Sequence, residues 1–381
     1  MTEQELIEQL PEPIKTNAKF IMMLKPEELP ENPEKGKWYV YRPEGCVCSD
    51  GTPYYSCLRV GDPNKILVMF CGGGVALDPY QAARPNELTP IDGEVTFYAK
   101  NTFVLGYFTG RSGLAQVEKP NNPFKDWSIC AISYAGGDFH SGTRDFEYDD
   151  PEKGKGVCHH NGYTCYRAMI EKLKEFVPNP EKIVVTGYSA GGFGTAILTD
   201  DVMRLFPDCN DVTCVPDSCM FSYPKWKESV KQWGTPKEIA DRIQSDNITL
   251  DCLLDFYHTH KGKVKIAFSC SYRDALLAQC ESYTHGEGLI FSRRGADIFQ
   301  ETLTNAVKIL QKEIPDIALF IFDKPSEDPN KIVKEYDMTE HTIVASDWLF
   351  DYSMDGVKFI DWIVAATEGK TMQVGLHLLG I

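Results

Sequence analysis

Apolar residues in this chain gather into short unbroken runs, separated by glycine-rich turns and by stretches with helical spacing. Lys65 to Phe70, Ser128 to Tyr134, Ile183 to Thr186, Val264 to Cys270 and Ala318 to Phe322 are such runs, and each predicts a strand buried on both faces. Between Asn161 and Val177, the positions Tyr163, Tyr166, Met169, Ile170, Leu173 and Phe176 recur at helical spacing, and Pro178 and Pro180 stop that helix before the next strand. Strands alternating with helices, with glycines at the strand ends, predict an α/β fold: a mainly parallel central sheet with helices on both faces and ligands at its carboxyl edge. No Ser/Gly-rich tract, charge block or repeat divides residues 1–381, so a single domain is expected, with residues 1–40 as an N-terminal extension. Residues 217–254, irregular and rich in Trp, Pro and Lys, are expected as a helical insertion over the site.

Composition narrows the partners. The chain has 381 residues, 43% apolar and 25% charged, enough for a large core. Its 39 basic against 55 acidic residues leave a net charge of −16, which disfavours nucleic acid and would repel a strongly anionic polymer unless that polymer carried neutral esters. The N-terminal stretch has no basic segment followed by an apolar one, so no signal peptide is visible, and no window approaches the length of a membrane span. The 13 cysteines include no C-x-x-C pair, and His159-His160 beside Cys158 lack a second ligand pair, so zinc is disfavoured and no metal or other cofactor is expected. Local disulfides and buried free thiols both remain open readings. Asn247-Ile248-Thr249 matches a glycosylation sequon and is read as a chance match.

The candidate chemistry centres on Gly187-Tyr188-Ser189-Ala190-Gly191, where a β-branched run turns directly into Ala196-Ile197-Leu198. This is the G-x-S-x-G elbow, whose glycines permit a turn that lifts the serine hydroxyl above the sheet edge. A turn that only packs helix on sheet would share the five letters, but the strand, turn and helix order favours a nucleophile. A serine needs an imidazole to take its proton and a carboxylate to orient that imidazole, in the chain order Ser, acid, His. His140, His159 and His160 precede Ser189, His258 and His260 flank a helix end, and His377 is terminal, which leaves His341 as the base. Asp274, just past the strand Val264 to Cys270, is read as the acid, with capping of the helix that begins at Ala275 as the plainer alternative. Asp217 is the rival acid and reads more as a brace for the loop beneath it. Gly72-Gly73-Gly74 after a buried strand fits an oxyanion loop that donates one N–H, the other coming from Ala190, and no Lys-Ser/Thr follows to make it a P-loop.

These segments resemble the pectin acetylesterase/Notum family of serine carboxylesterases. The resemblance spans Cys48 to Trp362 and rests on Ser49 to Tyr54, Phe70 to Gly74, Asn122 to Trp127, Gly136 to Gly142, Gly187 to Gly192 and Pro216 to Ser218. It implies an α/β-hydrolase-like fold, Ser189, Asp274 and His341 as nucleophile, acid and base, and Gly73, Gly74 and Ala190 around the oxyanion. It also implies an acylated glycan or other ester as substrate, with O-deacetylation of a polysaccharide as the leading activity. A deacylase for longer chains and a catalytically silent binding protein on the same fold are the alternatives. The family is commonly secreted, whereas the visible N-terminus suggests a chain that is cytoplasmic or exported by another route. Two departures bear on the substrate: Val75-Ala76 stands where the family usually has Trp or Cys, and the family's glutamine after the acid is displaced to Gln279.

Overall fold

The computed structural model describes residues 2–12, 14–87, 94–261 and 263–381. At its centre is a ten-stranded sheet. In chain order its strands are β1 (Glu27–Glu28), β2 (Trp38–Tyr41), β3 (Ser56–Arg59), β4 (Asp62–Phe70), β5 (Trp127–Ile132), β6 (Lys182–Tyr188), β7 (Val212–Asp217), β8 (Val264–Ser271), β9 (Ala318–Phe322) and β10 (Gln373–Val374). Across the sheet they lie in the order β1-β2-β3-β5-β4-β6-β7-β8-β9-β10. Every neighbouring pair is parallel except those that β3 makes with β2 and β5. The mainly parallel sheet read from the apolar runs is therefore present.

Burial explains why those runs carried so clear a signal. Ile66 to Phe70, Ile129 to Ile132 and Ile183 to Val185 expose none of their surface, because helices cover both faces. One core gathers under the helices Gly162–Phe176 and Ala190–Leu205, including Met169, Ile170, Phe193 and Leu198. The opposite face packs against the helix Phe359–Thr367 through Phe320, Phe359 and Trp362. Among the described residues no helix is long and apolar enough to cross a membrane.

Several expectations change in the structure. A further strand that no apolar run predicted, β10, pairs beside Ala318–Phe322. β7 was not read as a strand: Pro216 argues against an interior strand because it lacks an N–H, yet it sits opposite Gly187 in register. The N-terminal extension is not wholly outside the fold, since β1 and part of residues 38–41 add strands to the sheet edge. Residues 217–254 do include the helices Trp226–Trp233, Lys237–Ala240 and the start of Ile248–His260, but Trp226 and Trp233 pack on Phe139, in the core rather than over the site. All 13 cysteines are free thiols, twelve of them buried, so the open choice falls to buried thiols. The sequon asparagine, Asn247, is 6% exposed and caps a helix through Leu250 N–H, which fits a chance match.

Candidate active site

β6 ends at Tyr188 and the helix Ala190–Leu205 begins at once, leaving Ser189 at φ 55° and ψ −128°. Three glycines make this possible. A Cβ on Gly191 would run into the Phe70 carbonyl at the end of β4, one on Gly192 into the Asp217 carbonyl of β7, and one on Gly187 into the Gly191 carbonyl. The helix therefore starts against the carboxyl ends of both flanking strands, and the serine is the residue forced out at the edge. Ser189 N–H donates to the Asp217 carbonyl at 3.0 Å, tying the turn to the neighbouring strand.

The glycine triplet lies against this turn. A Cβ on Gly72 would be 2.8 Å from Ser189 Cβ, one on Gly73 would meet Tyr134, and Gly74, at φ +80°, could not carry one beside the Phe97 carbonyl. Ala99 N–H donates to Gly73 O at 2.7 Å and Val75 N–H to Phe97 O at 3.0 Å, fixing the loop on one side. His140, set aside as a base by chain order, supports it from beneath: its Nε2–H donates to the Cys71 carbonyl at 2.9 Å. Burial pushes this imidazole down to about 4, so it stays neutral. Its own turn, with Phe139 and His140 both at positive φ, is held by Asp138, which accepts from the N–H groups of His140 at 3.1 Å and Gly162 at 2.8 Å.

Asp274 follows β8 and is wholly buried. It does both things that its sequence allowed. Oδ1 accepts from Leu276 and Leu277 N–H at 3.1 and 3.0 Å, capping the helix Ala275–Thr284, and both oxygens accept from His341 Nδ1, at 2.8 and 2.7 Å. Burial by itself would pull the His341 imidazole down. The Asp274 carboxylate, with smaller contributions from Asp217 and Glu340, more than offsets this and holds it above the ordinary histidine value of 6.5. The bond to Nδ1 leaves Nε2 as the free nitrogen, and that atom is buried with no hydrogen-bond partner.

His341 is gripped on both sides in sequence. Before it, Thr339 N–H donates to Arg273 O at 3.0 Å and Ala275 N–H donates to Thr339 O at 3.1 Å, so the loop runs beside Asp274. After it, Ile343 and Val344 N–H donate to Asp217 Oδ2 at 2.8 and 2.9 Å. The other oxygen of Asp217 accepts from Ser269 Oγ at 2.8 Å and Ser218 Oγ at 3.2 Å. Asp217 thus braces the His341 loop instead of orienting the ring. Burial pushes its carboxyl up to about 6 despite these donors.

Ser189, His341 and the glycine triplet line one cavity of about 490 Å³. No hydrogen bond joins Ser189 to His341 among the described contacts, although both face this space. Its apolar walls are Val75, Leu77 and Phe97, with Leu276, Leu277 and Tyr283 from the helix that Asp274 caps; Gln279 also lines it. No residue of 217–254 does so among those described, so that segment does not form the wall expected of it. The Ala275–Thr284 wall escaped the sequence reading. Its signal was two leucines in the first turn after Asp274, one of which, Leu276, is 45% exposed.

A family model described as pectinacetylesterase matches residues 37–264. Among solved structures, the Wnt deacylase Notum from Drosophila superposes with a TM-score of 0.57 over 87% of this chain and 94% of that one, at 15% sequence identity. The likeness at that identity is one of fold.

Asp217→Asn tests the brace. An amide offers one acceptor oxygen where the carboxylate serves four donors, and each buried donor left unpaired costs about 1–3 kcal/mol. Amide hydrogen exchange at Ile343 and Val344 is expected to accelerate, with the β9 amides unchanged relative to global stability. Equal protection of Ile343 and Val344 in variant and wild type would refute the brace.

Proposed function

Because the chain belongs to the pectinacetylesterase family, we propose that it hydrolyses carboxylic esters through an acyl-serine, with Ser189 as nucleophile, His341 as base, Asp274 as the acid that orients it, and the N–H groups of Gly73, Gly74 and Ala190 receiving the oxyanion. One observation carries this reading: a buried imidazole bonded through Nδ1 to a buried carboxylate, with Nε2 unpartnered, faces the same cavity as a serine at a strained strand-to-helix turn. In the reaction, Nε2 takes the hydroxyl proton as Ser189 Oγ bonds to the ester carbonyl. The carbonyl oxygen gains negative charge at the N-terminus of the Ala190–Leu205 helix, where the dipole and the free N–H groups favour it. The carbon–oxygen bond to the alcohol then breaks and the proton passes to the departing oxygen. Water, deprotonated by the same nitrogen, releases the acid and restores the serine.

The family's description makes an acetylated polysaccharide the first reading of the substrate. A second reading, a longer acyl chain, is favoured by the cavity: about 490 Å³ bounded by leucine, valine and aromatic side chains far exceeds a two-carbon acetyl group and falls in the range of sites for whole small molecules.

A fluorophosphonate probe is expected to label wild type and not Ser189→Ala, and this substitution should lower kcat by several orders of magnitude, up to about 10⁶-fold. Labelling of both proteins would move the nucleophile elsewhere, and labelling of neither would favour a silent binding protein.

The raised His341 value sets the acid limb of the rate. The protonated ring cannot act as a base, so kcat/KM should rise with pH through a midpoint above 6.5 and then level off. Asp274→Asn removes the charge that raises it and should move that midpoint down while lowering kcat by about 10³–10⁴-fold. An unmoved midpoint would dissociate the limb from this pair.

A series of p-nitrophenyl esters reads the acyl pocket. Burial of two further methylenes contributes about 1.6 kcal/mol, so kcat/KM is expected to climb roughly tenfold from acetate to butyrate. A maximum at acetate with a fall beyond it would return the reading to deacetylation.

A further inference from the structure

The N–H groups assigned to the oxyanion come from two separate segments. Gly73 and Gly74 follow β4, whereas Ala190 opens the helix Ala190–Leu205 after β6. Donors stabilise an oxyanion when they lie about 2.7–3.1 Å from it, so the two segments must be held in register with each other. Backbone pairing does not do this where the glycine loop begins. Cys71 N–H still donates to Ile132 O of β5 at 3.0 Å, and the next backbone bond is Ala99 N–H to Gly73 O at 2.7 Å. Between them lies the Cys71–Gly72 peptide. Its carbonyl accepts from His140 Nε2–H at 2.9 Å, and no other donor meets it among the described hydrogen bonds. A peptide is planar, with C=O and N–H pointing opposite ways, so fixing this carbonyl fixes the direction in which the chain enters Gly73 and Gly74. Three glycines in a row supply no side chain to do so instead.

The same ring rests on the other segment. A Cβ on Gly194, in the helix that Ala190 opens, would stand 3.0 Å from His140 Cδ2. Phe70 at the end of β4 and Tyr134 enclose the ring, with centroids at 5.0 and 4.9 Å. His140 is therefore bonded to one donor segment and packed against the other. The turn that carries it is costly: Phe139 and His140 stand at φ 49° and 59°, and an L-residue held there costs on the order of 1–3 kcal/mol. Asp138 offsets this by accepting from His140 and Gly162 N–H, and Ser141 Oγ–H donates to the Asp138 carbonyl at 2.9 Å. An apolar side chain could fill the space between Phe70 and Tyr134. What the imidazole adds is one N–H aimed at a carbonyl, and because burial keeps the ring uncharged, it needs no counter-ion.

We propose that His140 is a positioning residue for the oxyanion site: donating to the Cys71 carbonyl while packed on Gly194, it sets the glycine loop against the helix N-terminus so that their N–H groups converge. The role rests on the ester-hydrolase reading above. His140 does not line the cavity that holds Ser189 and His341; its effect passes through the Cys71–Gly72 peptide.

His140→Phe keeps a ring between Phe70 and Tyr134 and removes the donor, while His140→Gln returns an N–H at similar reach. Turnover is counted per site titrated with a fluorophosphonate, so misfolded protein drops out. Per site, kcat of the Phe variant is expected to fall about 10- to 100-fold, part of the roughly 10²–10³-fold that a direct oxyanion donor supplies, with KM within about twofold. The Gln variant should return to within about fivefold of wild type. A merely structural role would lower the melting temperature and the titrated fraction and leave kcat per site unchanged. Imidazole ¹⁵N NMR of the wild type needs no variant, and decides if the Phe variant does not fold: His140 should carry its proton on Nε2 and not titrate between about pH 6 and 9. The Gly72 amide ¹⁵N signal should shift in His140→Phe and return in His140→Gln. If the wild type cleaves no ester while Gly72 responds in this way, the hydrolase reading fails and the setting of the loop by His140 stands. A proton on Nδ1, a Gly72 signal unmoved in the Phe variant, or equal kcat per site in that variant and wild type would overturn the proposal.

Discussion

The tight turn at Ser189 is the constraint around which the rest is arranged. An L-residue at positive φ is strained by contact of its Cβ with the backbone, and it persists because the helix behind it is pinned against two strand ends. Gly191 abuts the end of β4 and Gly192 the end of β7. Those contacts set the spacing of β4, β6 and β7, so the loops leaving β4 and β7 emerge beside the serine. The glycine triplet and Asp217 owe their positions to the same close approach.

A second constraint acts on His341, the proposed base. His341 lies on a long excursion between β9 and β10, where chain connectivity alone would leave an imidazole free to wander. Two buried carboxylates remove that freedom by different means. Asp274 holds the ring through Nδ1, while Asp217 holds the backbone two and three residues further on. Burying two acids so close together is costly; the backbone amides and serine hydroxyls that meet them offset that cost and tie the site to the centre of the sheet.

Sequence patterns disclosed what depends on local chemistry and missed what depends on convergence. Apolar runs located β4, β5, β6, β8 and β9 because full burial leaves no polar alternation to confuse them. β7 stayed hidden because Pro216 lies within it, tolerated where it stands opposite Gly187 of β6. Chain order singled out His341 and Asp274, and the structure places these two in contact. The leucine wall on the Ala275–Thr284 helix was not legible, since apolar residues facing a cavity look, in one dimension, like any other helical stripe. The segment 217–254 misled for the opposite reason: its tryptophans signalled a special surface and are instead core, packed on Phe139.

The grip on both flanks of His341 bears on how such a chain can change over time. Residues 323–338 leave the sheet after β9 and return at Thr339, where pairing with Arg273 and Ala275 resumes. Glu340 N–H donates to Lys324 O at 2.8 Å and Pro325 pairs with Thr339, so the stretch 328–335 is closed off at its base and does not transmit its length to the imidazole. Lengthening a surface loop costs only a small entropic increment, so this excursion is a place where insertions could accumulate, or a foreign segment be grafted, while the geometry around His341 is retained.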